Sequence, residues 1–184
     1  MVRSLLLLLL FLMFRPISSF LSHRPPMRRM LSVTRRYLNV NINCVGKPNS
    51  VEPYLKEGYA EYEKRLKPTL KLTTNFLKND AALVKSLEKE KYPESIILLD
   101  ESGTSHTSIS FTSLLYKTLS SGSATVNFYI GAAEGFPASI KQDKRYKKIN
   151  LGNMTWPHQV VRLLIVEQIY RATEIRKGSG YHKE

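Results

Sequence analysis

The stretch that decides the fold runs from residue 150 to residue 170 and reads NLGNMTWPHQVVRLLIVEQIY. A glycine-asparagine bend leads to Trp156, Pro157 and His158. Pro157 suits the first turn of a helix, because its missing N–H would have no partner there in any case. Gly178 is placed to end that helix. We therefore predict a tight backbone loop followed directly by a long C-terminal helix.

The predicted last helix is apolar in nearly every direction. At about 100° per residue, its aliphatic side chains leave two narrow polar stripes. One stripe holds His158 and Arg162, and the other holds Glu167, Arg171 and Glu174. A helix of this kind must be covered on more than one side. In a small domain the second cover is another subunit, so we expect a homodimer.

Strands and helices alternate along the rest of the chain. YLNVNINCVG alternates apolar and polar residues as a half-buried strand does, and SIILLD is a continuous apolar run typical of a buried parallel strand. Ser50 and Pro53 are placed to start the first helix. The remaining strands are predicted at TLKLTTNFL, ATVNFYIG and KINLG, and the other helices at VEPYLKEGYAEYEKRLK, DAALVKSLEKEK, FTSLLYKTLSS and PASIKQDKRYKK. This alternation predicts an α/β fold with a mostly parallel sheet flanked by helices.

Three strand ends carry glycine: LLDESG, YIGAAEG and NLGNMTW. In parallel sheets, ligands bind at the carboxyl ends of strands, and glycine permits close approach of the backbone to a ligand. Together the three loops could line a pocket, although each alone is also what an ordinary strand-exit turn looks like. GAAEG is not the dinucleotide-binding GxGxxG, and no phosphate loop with Gly-Lys-Ser/Thr occurs.

The sequence gives little support for a metal site or for a serine hydrolase. The single cysteine and four histidines show no metal-ligand spacing, so we expect no metal site. A nucleophile elbow G-x-S-x-G is absent from the sequence. The tail RKGSGYHKE ends in an aromatic ring, an imidazole, a cation and a carboxylate. It could close over a base bound at the edge of a dimer, or it could be a frayed terminus.

Residues 1–36 differ from the rest and are predicted to be a cleavable targeting leader, with one domain at 37–184. The leader contains seven arginines and neither lysine nor acid, and removing them from the net charge of +13 leaves +6 for residues 37–184. Its apolar run LLLLLLFLMF resembles a signal h-region and, at 10 residues, is too short to be a stable membrane span. The Ser- and Arg-rich segment that follows is typical of a transit peptide. Such serial signals resemble the bipartite leaders of algae with secondary plastids, so we favour a plastid over a mitochondrion; a secreted protein with a signal anchor is a further alternative.

Several segments read together resemble the bacterial ribosomal RNA large subunit methyltransferase H family: AEYEKRL, ILLD, YIGAAEG, MTWPHQVVRLLIVEQIYRA and the terminal YHKE. That family belongs to the SPOUT superfamily and methylates N3 of a pseudouridine in the large ribosomal RNA. The resemblance covers residues 38–184 and implies a small α/β domain with a C-terminal trefoil knot, one of the rare exceptions to unknotted topology. This chain would then be an organelle-targeted homologue.

The resemblance also implies a site for S-adenosylmethionine. The implied cofactor-binding residues are Leu99, Gly131, Leu151, Gly152, Asn153, Met154, Thr155 and Trp156. Relatives often have a second glycine after Gly131, where this chain has Ala132. The implied catalytic residues are His182, to hold the base or take its proton, Tyr181, to stack on the base, and Arg162, to orient the tail or a phosphate. His158 is an alternative to Arg162, and water is an alternative base.

The expected partners are a second copy of the chain and large-subunit ribosomal RNA or the assembled ribosome. The basic run KQDKRYKK would meet phosphates, although a solvated helix face explains it equally well. Two alternatives stay open at this point. One is a non-catalytic dimeric RNA-binding or ribosome-assembly factor, and the other is a SPOUT enzyme acting on tRNA, against which counts the missing RNA-binding domain.

Overall fold

A computed structural model describes residues 38–48, 51–121 and 123–183, and Arg35–Glu184 forms one compact unit. The predicted leader and the predicted capping residue Ser50 lie outside the described residues. The strands are β1 (Leu38–Val45), β2 (Leu70–Leu77), β3 (Ile96–Ser105), β4 (Thr125–Ile130) and β5 (Lys147–Asn150). The helices are α1 (Pro53–Leu66), α2 (Asp80–Lys89), α3 (Ser108–Ser120), α4 (Ala138–Gln142) and α5 (His158–Lys177), with a short 3-10 turn at Pro93–Ser95.

The five strands form one parallel sheet in the order β2-β1-β4-β3-β5. The predicted α/β class with a parallel sheet is therefore confirmed. The order places β4, β3 and β5 side by side, so the glycine-containing loops after β4 and β5 leave the same edge of the sheet. The third predicted strand end, LLDESG, is wrong, because these residues lie within β3. The C-terminal trefoil knot stays a prediction.

Helices cover both faces of the sheet. Val40 and Ile42 of β1 point to the face covered by α1, α3 and α5, where they join the larger hydrophobic core. Leu98 and Tyr129 point to the other face and pack with Leu83 of α2 in a second core. Alternation within β3 and β4 thus divides each of these strands between the two cores, as expected for a sheet buried on both sides.

A row of amide side chains crosses the face covered by α2. Asn75 donates to Oδ1 of Asn43 at 2.9 Å, and Asn43 in turn donates to the Phe128 carbonyl oxygen at 3.3 Å. Asn41 donates to Oδ1 of Asn127 at 2.7 Å. Asn127 then donates to Oγ of Ser95 and to a carboxylate oxygen of Glu90, both at 3.2 Å. These bonds satisfy polar groups that would otherwise be costly inside the sheet.

The last helix, α5, is largely enclosed by the rest of the domain. Every residue from His158 to Ile175 is buried or half-buried, and α5 packs against both α1 and α3. Gly178 ends the helix in the left-handed conformation with φ of 68°, as the sequence predicted. Among the described residues, no helix is long and apolar enough to cross a membrane.

Two elements differ from their predicted extents. The predicted helix at 137–148 is wrong in length, since α4 ends at Gln142. There the side chain of Asp143 accepts from the backbone N–H of Arg145 at 2.9 Å, a local turn that competes with helix continuation. Strand β3 runs longer than predicted because it pairs with β5 twice, with a register shift between Leu99 and Thr104.

Candidate active site

A cavity of about 670 Å³ opens at the carboxyl ends of β3, β4 and β5. Its volume lies within the range of roughly 300–1,000 Å³ that small-molecule sites occupy. The floor is apolar and includes Ile130 and Ile149, and the wall on one side is the start of α5 at Pro157 and His158. This is the position at which open parallel sheets bind ligands.

The structure brings together most of the cofactor residues implied by the sequence. Asn153 is exposed in the same loop but is not among the described residues that line the cavity. The other seven line it: Leu99, Gly131, Leu151, Gly152, Met154, Thr155 and Trp156. Met154 is 66% exposed and Trp156 37% exposed, so two large apolar side chains stand open at the mouth of the cavity.

The loop after β4 folds back tightly on itself at Gly131. A Cβ atom at Gly131 would lie 2.6 Å from the carbonyl carbon of Gly135, a distance that no side chain tolerates. Ala132 pairs with Gly135 in an isolated antiparallel bridge, and the Gly135 N–H donates to the Ala132 carbonyl at 2.9 Å. The methyl group of Ala132 is therefore accommodated without opening this turn.

Asn150 fixes the loop that follows β5. Its side-chain amide donates to the carbonyl of Gly103 at 2.9 Å, while its Oδ1 accepts from Oγ of Ser105 at 3.0 Å and from the N–H of Gly152 at 3.3 Å. Gly152 has φ of 118°, a conformation that side chains rarely adopt. The sequence analysis did not identify Asn150 as a site residue, because there it is only the first residue of the glycine-containing stretch NLGNMTW.

Acidic side chains line the cavity from β3 and from the loop after β4. Asp100 is only 7% exposed, and its Oδ1 accepts from the backbone N–H of Ser102 at 2.9 Å and also from the Ser102 hydroxyl. Glu101 and Glu134 also line the cavity and are exposed. The site thus carries more negative than positive groups, which favours a ligand with positive charge.

Arg162 lies beside this cavity, behind its wall, and is 7% exposed. It borders a second cavity of about 20 Å³ with Cys44 and His158, and His158 lines both cavities. Nε of Arg162 is buried and has no hydrogen-bond partner in the part of the chain that the structure describes. Burial raises the pKa of the Cys44 thiol, and the charge of Arg162 opposes that rise.

The sequence from residue 38 to residue 182 matches the family described as "Predicted SPOUT methyltransferase". This chain belongs to the SPOUT methyltransferase family. It is therefore an enzyme of the methyltransferase class, and the parallel sheet with its cavity at the β4-β3-β5 edge is consistent with the SPOUT fold.

Similar proteins share one name. The chain is 39% identical over 146 residues to the "Ribosomal RNA large subunit methyltransferase H" of Protochlamydia amoebophila, covering 79% of this chain and 99% of that protein. A protein of the same name from Streptococcus uberis is 35% identical over 162 residues, covering 79% and 100%. A third, from Prochlorococcus marinus subsp. pastoris, is 35% identical over 144 residues, covering 78% and 95%. Nearly the whole of each relative is therefore matched.

The tail of this SPOUT methyltransferase packs on its own α5. The Tyr181 hydroxyl donates to Oε1 of Glu167 at 3.0 Å, its ring meets Tyr170 edge-on at 4.9 Å, and the Arg171 guanidinium lies 4.9 Å from the ring centre. Burial, together with the bond to Glu167, holds the Tyr181 pKa well above its usual value. Nδ1 of His182 is buried and has no partner among the described residues.

The three catalytic residues implied by the sequence are consequently not assembled within one chain. Tyr181 lies against the C-terminal half of α5, whereas the cavity is at its N-terminal end, and neither Tyr181 nor His182 lines that cavity. Nine residues separate His158 from Glu167, which corresponds to about 13 Å along a helix axis. Arg162 faces Tyr59 and Phe76.

The basic run of the SPOUT methyltransferase is mostly engaged within the domain. Arg145 forms a two-pronged pair with Asp143, at 2.7 Å for the closest atoms. Lys147 donates to the carbonyl of Glu94 at 3.2 Å, and Lys148 donates to the carbonyl of Lys141. The run is therefore not one solvated helix face. Within the described residues, no group of three or more His, Cys, Asp or Glu could hold a metal ion.

Proposed function

We propose that the protein transfers a methyl group from S-adenosylmethionine to N3 of a pseudouridine in large-subunit ribosomal RNA. The observation that carries this proposal is the cavity at the ends of β3, β4 and β5, which is lined by seven of the eight residues implied for the cofactor. The shared name of the three relatives described above supports ribosomal RNA as the substrate.

The cavity suits S-adenosylmethionine in shape and charge. Apolar side chains such as Leu99 and Leu151 offer a surface for an adenine ring, and the tight turn at Gly131 exposes main-chain groups at the floor. The carboxylates of Asp100, Glu101 and Glu134 favour a positively charged ligand. When bound, S-adenosylmethionine supplies a methyl group already activated by its sulfonium.

The chain's own residues then have two tasks. The loops on either side of Gly131 and Gly152 hold the reacting groups in line, since alignment supplies much of the rate in such a transfer. The N3 proton of the base must also leave, and His182 is the candidate to accept it, with water as the alternative. Tyr181 offers a ring on which the base can stack.

We further infer that the enzyme works as a homodimer. Val160, Leu163 and Leu164 of α5 remain only half-buried in one chain, and α5 already packs against α1 and α3. A second copy would complete the burial of this helix. It would also offer a route for Tyr181 and His182 to reach a cavity, because they do not line that of their own chain. Light scattering of the purified protein is the test; a monomer at micromolar concentration would contradict the proposal.

An organelle, with a plastid favoured over a mitochondrion, is the proposed location. The support is the leader composition alone: an apolar run of 10 residues followed by a Ser- and Arg-rich segment without acid. A fluorescent protein carrying residues 1–36 should enter the organelle. Secretion of that fusion would contradict the proposal.

The decisive experiment is calorimetric titration of the purified protein with S-adenosylmethionine. Saturable binding is expected, and it should be lost in Gly152→Val, because φ at this position is 118°. Gly180→Val is the matched control, since a Cβ at Gly180 meets no atom within 4 Å. No binding by folded wild-type protein would favour a non-catalytic RNA-binding or ribosome-assembly factor instead.

Methyl transfer itself is then measured on ribosomes that lack the modification, with free ribosomal RNA and tRNA in parallel. Incorporation into the large-subunit RNA is expected. If methyl groups were incorporated into tRNA alone, tRNA would replace ribosomal RNA as the substrate. The assignment of S-adenosylmethionine as the cofactor would still hold.

A further inference from the structure

The side chain of Lys141 points in a different direction from those of the other basic residues in KQDKRYKK. It lines the cavity, and its Nζ lies 3.8 Å from Oδ2 of Asp100. The Lys141 side chain also passes over the turn after β4, where its Nζ would be 3.4 Å from a Cβ at Gly135. The ammonium group thus lies between Asp100 of β3 and the turn after β4.

The contact between Lys141 and Asp100 leaves the ammonium hydrogens available. At 3.8 Å the two groups attract each other but are too far apart for a hydrogen bond. The Asp100 side chain is 3% exposed, whereas that of Lys141 is 35% exposed. Asp100 is fixed by Ser102, so Lys141 is the partner that can shift toward a ligand.

The charges around the cavity form a pattern of three carboxylates and one ammonium group. Asp100, Glu101 and Glu134 are the carboxylates, and Lys141 is the only Lys or Arg among the described lining residues. A complementary ligand would carry positive charge toward the carboxylates and one negative group toward Lys141. The amino-acid part of an S-adenosyl compound has this combination, since it bears an α-carboxylate beside an α-ammonium group.

We propose that Lys141 is a specificity-determining residue that binds the α-carboxylate of the cofactor's amino-acid part. Resting on the proposed function, this inference names the subsite that separates S-adenosyl amino acids from other adenosine derivatives. Lys141 moves from Asp100 to share its charge with the ligand carboxylate. Asp100 limits the position that the ammonium group can take.

Calorimetry with two ligands tests the proposal without relying on turnover. S-adenosylhomocysteine and 5′-methylthioadenosine both lack the sulfonium charge, and they differ by the amino-acid part. In Lys141→Met, affinity for S-adenosylhomocysteine should fall roughly ten- to hundredfold, the range expected for loss of a hydrogen bond to a charged group. Affinity for 5′-methylthioadenosine should stay within about twofold. Lys144→Met, an exposed neighbour in the same run, is the matched control and should change neither.

The other outcomes are separable. If Lys141→Met lowered the affinity for both ligands equally, or for neither, the proposed role of Lys141 would be overturned. The methyltransferase assignment would still hold. Failure of wild-type protein to bind any of these ligands would instead overturn the proposed function. If Lys141→Met does not fold because Asp100 is left unpaired, Asp100→Asn combined with Lys141→Met removes both charges. In that variant the preference for S-adenosylhomocysteine should still be lost, and its persistence would overturn the proposal.

Discussion

The guanidinium carbon of Arg162 lies 4.9 Å from the centre of the Tyr59 ring and 5.3 Å from that of Phe76. Arg162 thus sits between an aromatic residue of α1 and one of β2. It forms no ion pair with a carboxylate among residues 38–48, 51–121 and 123–183. Aromatic faces attract a desolvated cation, but they do not replace a counter-charge. The buried position therefore costs stability, which suggests a role in function.

Replacing Arg162 with Met should separate its effect on stability from its effect on function. Removing a buried charge while retaining volume should leave the free energy of unfolding unchanged or raise it by up to about 2 kcal/mol. Methyl transfer to ribosomes should fall about tenfold or more if Arg162 has the role that the resemblance implies, which is to orient the tail or a phosphate. Urea unfolding and a transfer assay measure the two quantities. Full activity in Arg162→Met would show that Arg162 contributes packing alone.

Gly131→Ala should damage the site more than its small size suggests. The added methyl carbon would lie 2.6 Å from the carbonyl carbon of Gly135, so the turn must open. We expect a loss of about 1–3 kcal/mol in the free energy of unfolding and at least a tenfold loss in S-adenosylmethionine affinity. Gly180→Ala, where a Cβ meets nothing within 4 Å, should behave as wild type. Unchanged affinity in Gly131→Ala would show that the turn is not part of the cofactor site.

Tyr181 should matter for the RNA substrate and little for the cofactor. The ring of Tyr181 is the proposed stacking surface, and stacking of one base is worth about 1–3 kcal/mol. Tyr181→Ala should therefore lower methyl transfer by roughly ten- to hundredfold, whereas Tyr181→Phe keeps the ring and most of the activity. Affinity for S-adenosylmethionine, measured by calorimetry, should be nearly equal in all three proteins. A large loss of cofactor affinity in Tyr181→Ala would place the tail at the cofactor instead.

Stability should fall at alkaline pH partly through Tyr129. Its ring is fully buried, and burial raises the Tyr129 pKa from 10.0 to about 12. The folded state therefore keeps a proton that the unfolded state releases between pH 10 and pH 12, so this contribution is complete below pH 10 and is lost as pH rises. Each pH unit in that window costs about 1.4 kcal/mol.

Urea unfolding at several pH values from 8 to 12 checks this window, with Tyr129→Phe as the comparison. The variant loses the 3.0 Å hydrogen bond to Ser86 and should be less stable at pH 8, but its stability should decline less steeply above pH 10. Parallel declines in the two proteins would exclude Tyr129 as a source of the pH dependence.

Much of the architecture is predictable because it follows from local pattern. Alternation in β1, the continuous run SIILLD and the Pro157–Gly178 frame of α5 each depend on neighbouring residues. The position of the cavity also follows, since parallel strands bring their carboxyl ends to one edge. The leader, the knot and the second subunit stay predictions.

The features missed by the sequence analysis depend on residues far apart in the chain. Asn150 forms hydrogen bonds with Gly103 and Ser105, and the sequence around Asn150 does not predict them. Lys141 turns inward although it belongs to a run of charges, because its direction is set by Asp100, 41 positions earlier. The resemblance implied that Arg162 and Tyr181 belong to one catalytic group. In the structure the two side chains lie against different parts of the domain.

The asparagine row across the sheet has a consequence for how this sequence can change over time. The amides bond in two pairs, Asn75 donating to Asn43 and Asn41 donating to Asn127, so each pair has a fixed donor and a fixed acceptor. A change at Asn127 leaves the half-buried Asn41 amide without its acceptor, whereas Asn75 is exposed, so water can replace Asn43 as its acceptor. Asn41 and Asn127 therefore form a linked pair in which an apolar replacement at Asn127 requires a matching change at Asn41, and a scaffold engineered from this domain must transplant the two together.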